Sequence, residues 1–82
     1  MAHVLIPSLL AAQAGGRNRF EIDAPTLGDA LRALPVADLL FDERGELRPL
    51  VNPFVDRVLE CDLTTPLRGD SEVRVVAAIA GG

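Results

Sequence analysis

The ten residues Val73–Gly82, VRVVAAIAGG, decide how the rest of the chain is read. Val73, Val75, Val76 and Ile79 are β-branched and no charge follows Arg74, which is the make-up of a buried strand. A buried strand is ordinarily followed by a turn. Here Ala80, Gly81, Gly82 and a carboxylate follow instead. Glycine has no Cβ, so such a segment can enter a channel too narrow for any side chain. It can carry its carboxylate deep into another protein's active site. Along the strand, Val73, Val75 and Ala77 alternate with Arg74, Val76 and Ala78. The first set reads as the core face and the second as the open face.

Outward from this strand, Thr64 to Ser71 reads as a loop whose Arg68-Gly69-Asp70 makes the turn into it. Arg-Gly-Asp is also an integrin-ligand tripeptide, but an acidic chain without a secretion signal favours the turn. Val58 to Leu63 is short and extended. Leu50 to Val55 reads as a strand with Val51, Pro53 and Val55 on one face, and Asn52 and Phe54 on the other. Pro53 lacks a ladder donor, so a bulge or weak pairing is expected there. Asp42-Glu43-Arg44-Gly45 is a tight turn.

The helix signal is the clearest in the chain. Thr26 precedes Leu27 as an N-cap, with Asp29 three residues on, close to a capping box. Leu27, Ala30, Leu31 and Leu34 recur at helical spacing. Pro35 stops or kinks the helix, and Val36 to Phe41 adds a further turn. Before it, His3 to Ile6 reads as a first strand with Pro7 at its end, Ala11 to Gly16 as a turn, and Arg17 to Asp23 as a second strand. Gly15-Gly16 supplies positive φ to that turn and lacks the spacing and the Lys of a phosphate loop.

Hairpin, helix, short strands and final strand in that order give an α+β fold. It is a mixed sheet with one main helix packed on one face, the β-grasp or ubiquitin-like arrangement. The last strand then lies mid-sheet. A chain of 82 residues makes a single domain, 1–82, with 80–82 as a flexible Gly-Gly tail.

Composition narrows the function classes. The net charge is −4 and the pI about 4.7, which argues against nucleic acid or an anionic membrane as partner. No run of about 20 apolar residues could span a bilayer. The single Cys forms no internal disulfide and suits a reducing, cytoplasmic setting. All eight basic residues are Arg. No Cys/His cluster has metal spacing, and His3 has no nucleophile beside it in sequence. Cys61 is flanked by Glu60 and Asp62, which disfavour a thiolate. It reads as a small apolar residue packed at a strand end, rather than a thiol that takes up sulfur. Phe54, Arg74 and Val76 on the open face are the candidate partner-binding residues.

Five blocks together resemble the sulfur-carrier proteins of the ThiS/MoaD group. They are VLIPSLLAAQAGG (4–16), PTLGDALRAL (25–34), LRPLVNPFVD (47–56), TPLRGDSEV (65–73) and AIAGG (78–82). The first and third look closer to the cysteine-biosynthesis type than to molybdopterin-synthase subunits. Pro53 departs from the usual aliphatic residue, and Asp56-Arg57 from a more usual Asn-Gly turn.

The resemblance implies a protein co-substrate and not an enzyme. Gly82 would be adenylated by an E1-like activating enzyme that uses ATP and Mg²⁺. Sulfide would then give a thiocarboxylate, and a sulfur-acceptor synthase would take the sulfur for cysteine, a cofactor or a secondary metabolite. Ala78, Ile79, Ala80 and Gly81 would be recognised as the tail. The chain itself would bind no cofactor or metal. The same resemblance leaves two alternatives: the small subunit of molybdopterin synthase, or a ubiquitin-like modifier conjugated through Gly82.

Overall fold

The computed structural model describes residues 1–77. Five strands form one mixed sheet in the order β2-β1-β5-β3-β4. They are β1 (Ala2–Leu5), β2 (Arg19–Ile22), β3 (Val51–Val55), β4 (Val58–Leu59) and β5 (Glu72–Ala77). β5 is the middle strand, parallel to β1 and antiparallel to β3. The mixed sheet with helices on one face is the expected α+β, ubiquitin-like arrangement.

The main helix, α2 (Leu27–Arg32), begins where its sequence signals begin. The Thr26 hydroxyl oxygen accepts from the Asp29 N–H at 3.3 Å and its O–H donates to the Asp29 carboxylate at 2.9 Å. Two further helical N–H groups are taken by the loop that follows β4. Leu27 N–H donates to the Thr65 carbonyl at 2.9 Å, and Gly28 N–H to the Leu63 carbonyl at 2.8 Å. A helix start normally leaves such donors to water or side chains; here a second chain segment is bound to them. Leu27, Ala30, Leu31 and Leu34 are buried in the same core as Val36 and, from a short α3 (Ala37–Leu40), Leu40. From the sheet, Val4, Phe20, Val51, Val73 and Val75 close the same core.

The close approach at Gly28 has a stability consequence. A Cβ there would lie 3.0 Å from the Leu63 carbonyl oxygen, which is fixed by its own hydrogen bond, and 3.1 Å from the Leu63 Cβ. Gly28→Ala is expected to destabilise the fold by about 1–2 kcal/mol, although Ala is the better helix former. Denaturant unfolding would show this as a lower midpoint.

Three expectations are corrected. Residues Ser8–Ala14 form helix α1 (Ser8–Ala11) and a 3₁₀ turn (Ala12–Ala14), so β1 and β2 are not joined by a tight hairpin turn. Pro7 is extended and its carbonyl accepts from Leu10 and Ala11, starting a run of good helix formers. Gly15 and Gly16 do take positive φ, +70° and +88°, but they end this helical segment.

Pro53 causes no bulge. It pairs with Val75 in unbroken register and its side chain is fully buried. Its carbonyl accepts from Glu60 on the β4 side. In a strand, the N and C=O of one residue point to the same neighbour, so the missing donor faces the end of the short β4. No ladder bond to β5 is lost.

Cys61 is exposed. β4 lasts two residues, both exposed, so no packed strand end exists for the thiol to fill. The next turn is held by Asp62, whose carboxylate accepts from the Thr64 hydroxyl at 2.6 Å and the Thr64 N–H at 2.9 Å. These two bonds hold the Asp62 carboxyl below its ordinary pKa.

Candidate functional site

The helices cover one face of the sheet, and the other face is open. Strand register sets out what it shows. Arg19 pairs with Leu5, Leu5 with Arg74, Arg74 with Phe54 and Phe54 with Leu59. Residues paired across strands share a face, so these five form one row across the whole sheet. Beside Arg74 on β5, Val76 pairs with Asn52. Toward the other end of β5, Glu72 pairs with His3 and His3 with Glu21.

The alternation expected for the last strand is present. Val73 and Val75 are 0% and 2% exposed, whereas Val76 is 43% exposed. Phe54, Arg74 and Val76 come together with Arg57 and Glu72 around a shallow depression of about 270 Å³. Phe54 and Val76 give it an apolar part, and Arg57, Glu72 and Arg74 are charged, with Arg74 3.7 Å from Glu72. Leu59 at 51% exposure extends the apolar strip to the sheet edge. A run of apolar side chains open to solvent in a small domain is the ordinary mark of a contact surface. The role of Leu59 was not legible from sequence, because nothing there fixes its register against Phe54.

The depression is bounded by the β3–β4 turn. Val55 pairs with Val58, leaving Asp56 and Arg57 as a two-residue loop with φ of 48° and 72°. Two positive φ values match a type I′ hairpin, where Asn-Gly is the relaxed choice. Asp56 tolerates the left-handed region and is tied to β5: its N–H donates to the Glu72 carbonyl at 2.8 Å and its carboxylate accepts from the Glu72 N–H at 2.9 Å. Arg57 has no such compensation among the described residues, and its Cβ is crowded in this conformation. Arg57→Gly is therefore expected to stabilise the domain by about 1 kcal/mol, raising Tm by roughly 4–8 °C. Calorimetry on the two proteins would check it.

The expected tail-recognition residues Ala78, Ile79, Ala80 and Gly81, and the expected reacting residue Gly82, lie outside the described residues. What is described is their base. Ala77 ends the middle strand and pairs with Val51 of β3. Residue 78 thus follows directly from a strand flanked on both sides.

Among the described residues, no three His, Cys, Asp or Glu side chains are grouped to hold a metal ion. His3 is near Glu21, at 3.7 Å, on the polar half of the open face. No described helix is long and apolar enough to cross a membrane.

No protein-family model matches the chain. A sequence search of curated proteins likewise finds no match. Solved structures do match. One chain of the Amycolatopsis orientalis BexX/CysO complex aligns over 100% of this chain and 100% of its own, at TM-score 0.83 and 18% identity. Mycobacterium tuberculosis CysO aligns over 96% of this chain and 100% of its own, at TM-score 0.82 and 22% identity. The small archaeal modifier protein 1 of Haloferax volcanii aligns over 99% of this chain and 98% of its own, at TM-score 0.77 and 25% identity. The chain resembles these ThiS/MoaD-like β-grasp proteins, one of which is a modifier by name. At these identities, the likeness establishes the fold.

Proposed function

We propose that this β-grasp chain is a sulfur carrier whose Gly82 carboxylate is adenylated and converted to a thiocarboxylate. The observation that carries the reading is the position of β5. It is the middle strand of the sheet, and it ends at Ala77 with AIAGG still to come. A carboxylate is a poor acyl donor because its leaving group would be oxide. Adenylation by an E1-like enzyme, with ATP and Mg²⁺, replaces that leaving group with AMP. Hydrosulfide then attacks the carbonyl carbon, the C–S bond forms, the C–O bond to AMP breaks, and AMP departs with the electron pair.

The resulting sulfur is nucleophilic and held on a protein handle until a sulfur-acceptor synthase takes it. In this scheme the chain supplies no base and no metal. The apolar open face, with Phe54, Arg74 and Val76, supplies the grip for the enzymes. Every partner would act in the cytoplasm.

Incubating the full chain with a candidate adenylating enzyme, ATP, Mg²⁺ and sulfide tests the reading. Intact-mass spectrometry should show the chain heavier by the difference between sulfur and oxygen, and alkylation should label Gly82. A chain that stays unmodified while AMP–pyrophosphate exchange proceeds would point elsewhere. The likeness to the archaeal modifier protein favours one second reading, conjugation through Gly82 to lysines of other proteins. Isopeptide-linked products in cells, with no thiocarboxylate, would support it.

A further inference from the structure

Resting on the carrier reading, we infer that the chain is built so that its activated carboxyl cannot acylate itself. It meets no primary amine of its own chain within reach. An activated Gly82, as adenylate or thioester, is attacked by neutral amines. The C–N bond forms, the C–O or C–S bond breaks, AMP or thiol leaves with the electron pair, and the amine proton passes to water. For a carrier that reaction is a dead end, since an amide does not release the chain again.

Three observations converge. The first is composition: eight basic residues, every one of them Arg. The second is where they lie. All eight are exposed. Arg17 stacks on Phe20 at 4.8 Å and Arg32 on Phe41 at 5.2 Å. By contrast, Arg19, Arg44, Arg57 and Arg68 make no ion pair, side-chain hydrogen bond or ring contact among the described residues. At those four positions packing gives Arg no advantage over Lys. Reactivity does separate the two: guanidinium stays protonated throughout the working pH range, whereas a Lys amine loses its proton far more readily.

The third observation is the location of the Met1 amine. It donates to the Gly69 carbonyl at the start of β1. β1 and β5 run parallel, with His3 level with Glu72, while Ala77 ends β5. Met1 and Ala77 are thus separated along the strand axis by seven residue steps, about 23 Å at 3.3 Å per residue. Residues 78–82, whatever their path, span at most about 17–18 Å. The chain's own amine therefore lies at the wrong pole of the sheet. Arg48 lies at the right one: it is exposed and three residues before Val51, which pairs with Ala77. Arg68 sits beside Gly69, at the Met1 end.

The test needs no activating enzyme, so its failure is separable from failure of the carrier reading, which the adenylation assay reports. The 82-residue chain is prepared with Gly82 as an alkyl thioester, released from a self-splicing fusion, as parent, Arg48→Lys and Arg68→Lys. Each is held dilute at about pH 8.5 with excess thiol, which reverses any exchange onto Cys61, and its intact mass is followed. Melting curves confirm that the three fold alike. Arg48→Lys should accumulate a thiol-resistant species lighter than the hydrolysed chain by one water, at least about tenfold above the parent, because proximity raises the effective amine concentration. The parent and Arg68→Lys should end as the free acid. If Arg48→Lys behaves like the parent, Arg at the exit end protects nothing. If the parent closes onto Met1, the separation of the two poles is not a barrier. Either result overturns the inference.

Discussion

Deleting Gly81 and Gly82 is expected to reduce adenylation by the cognate activating enzyme to background while moving Tm by less than about 2 °C. The two halves of this outcome come from different parts of the chain. Among the described residues, the pairings of β5 are complete at Ala77 and the buried core draws on positions up to Val75. Losing two residues beyond that point removes none of these contacts. The chemistry has no such independence. A truncated chain presents a carboxylate on Ala80, whose methyl must pass wherever a glycine passed. It also falls short by two residue lengths, about 7 Å, of the position the full chain reaches. Adenylation requires the carboxylate oxygen in line with the α-phosphate of ATP, and misplacement by a few ångströms forfeits most of the rate. AMP–pyrophosphate exchange, run beside a melting curve, measures both. Normal exchange by the truncated chain would sink the carrier assignment at Gly82.

The second large effect lies on the open face. Val76→Asp is expected to weaken binding to the activating enzyme by tenfold or more, about 1.4 kcal/mol at least, with little change in stability. Val76 is 43% exposed in the free protein, so a carboxylate there remains hydrated until a partner covers it. Phe54→Ala should act in the same direction through lost apolar contact. Val73→Asp is the control. It is three residues away on the same strand and fully buried, in one core cluster with Leu27, Ala30 and Leu31. An unpaired carboxylate there should prevent folding at ordinary temperature. Calorimetric titration separates the two outcomes, and an unchanged Kd for Val76→Asp would remove the open face from the docking account.

The contrast between Val73 and Val76 shows why much of this fold could be read from sequence. Two-residue alternation in β5 and the Thr26–Asp29 signal before α2 are local patterns with one structural solution, and both elements form where they were expected. The misreadings came where a local signal had two solutions. Gly15-Gly16 suits a hairpin turn or a helix end, and the helix formers of Ser8–Ala14 decide for the second. Pro53 forbids one hydrogen bond, but which neighbour loses it depends on the length of β4, which the sequence does not state. Cys61 reads as a packing residue only if its strand is long enough to be covered, and β4 is two exposed residues. On the site, the exposure of Val76 was legible from alternation alone. The row from Arg19 to Leu59 was not, since it needs the register of five strands.

The pairing of β1 with β5 also governs how the molecule comes into being. His3 and Glu72 are neighbours in the sheet and stand at nearly opposite ends of the described chain. Until β5 is in place, the sheet is two separate pieces, β2-β1 and β3-β4, and an isolated pair of strands is marginal in water. Contacts of such long sequence separation are formed late and slow folding down. A chain lacking residues 72–77 leaves these two pieces without the strand that joins them, and is expected not to fold as one body.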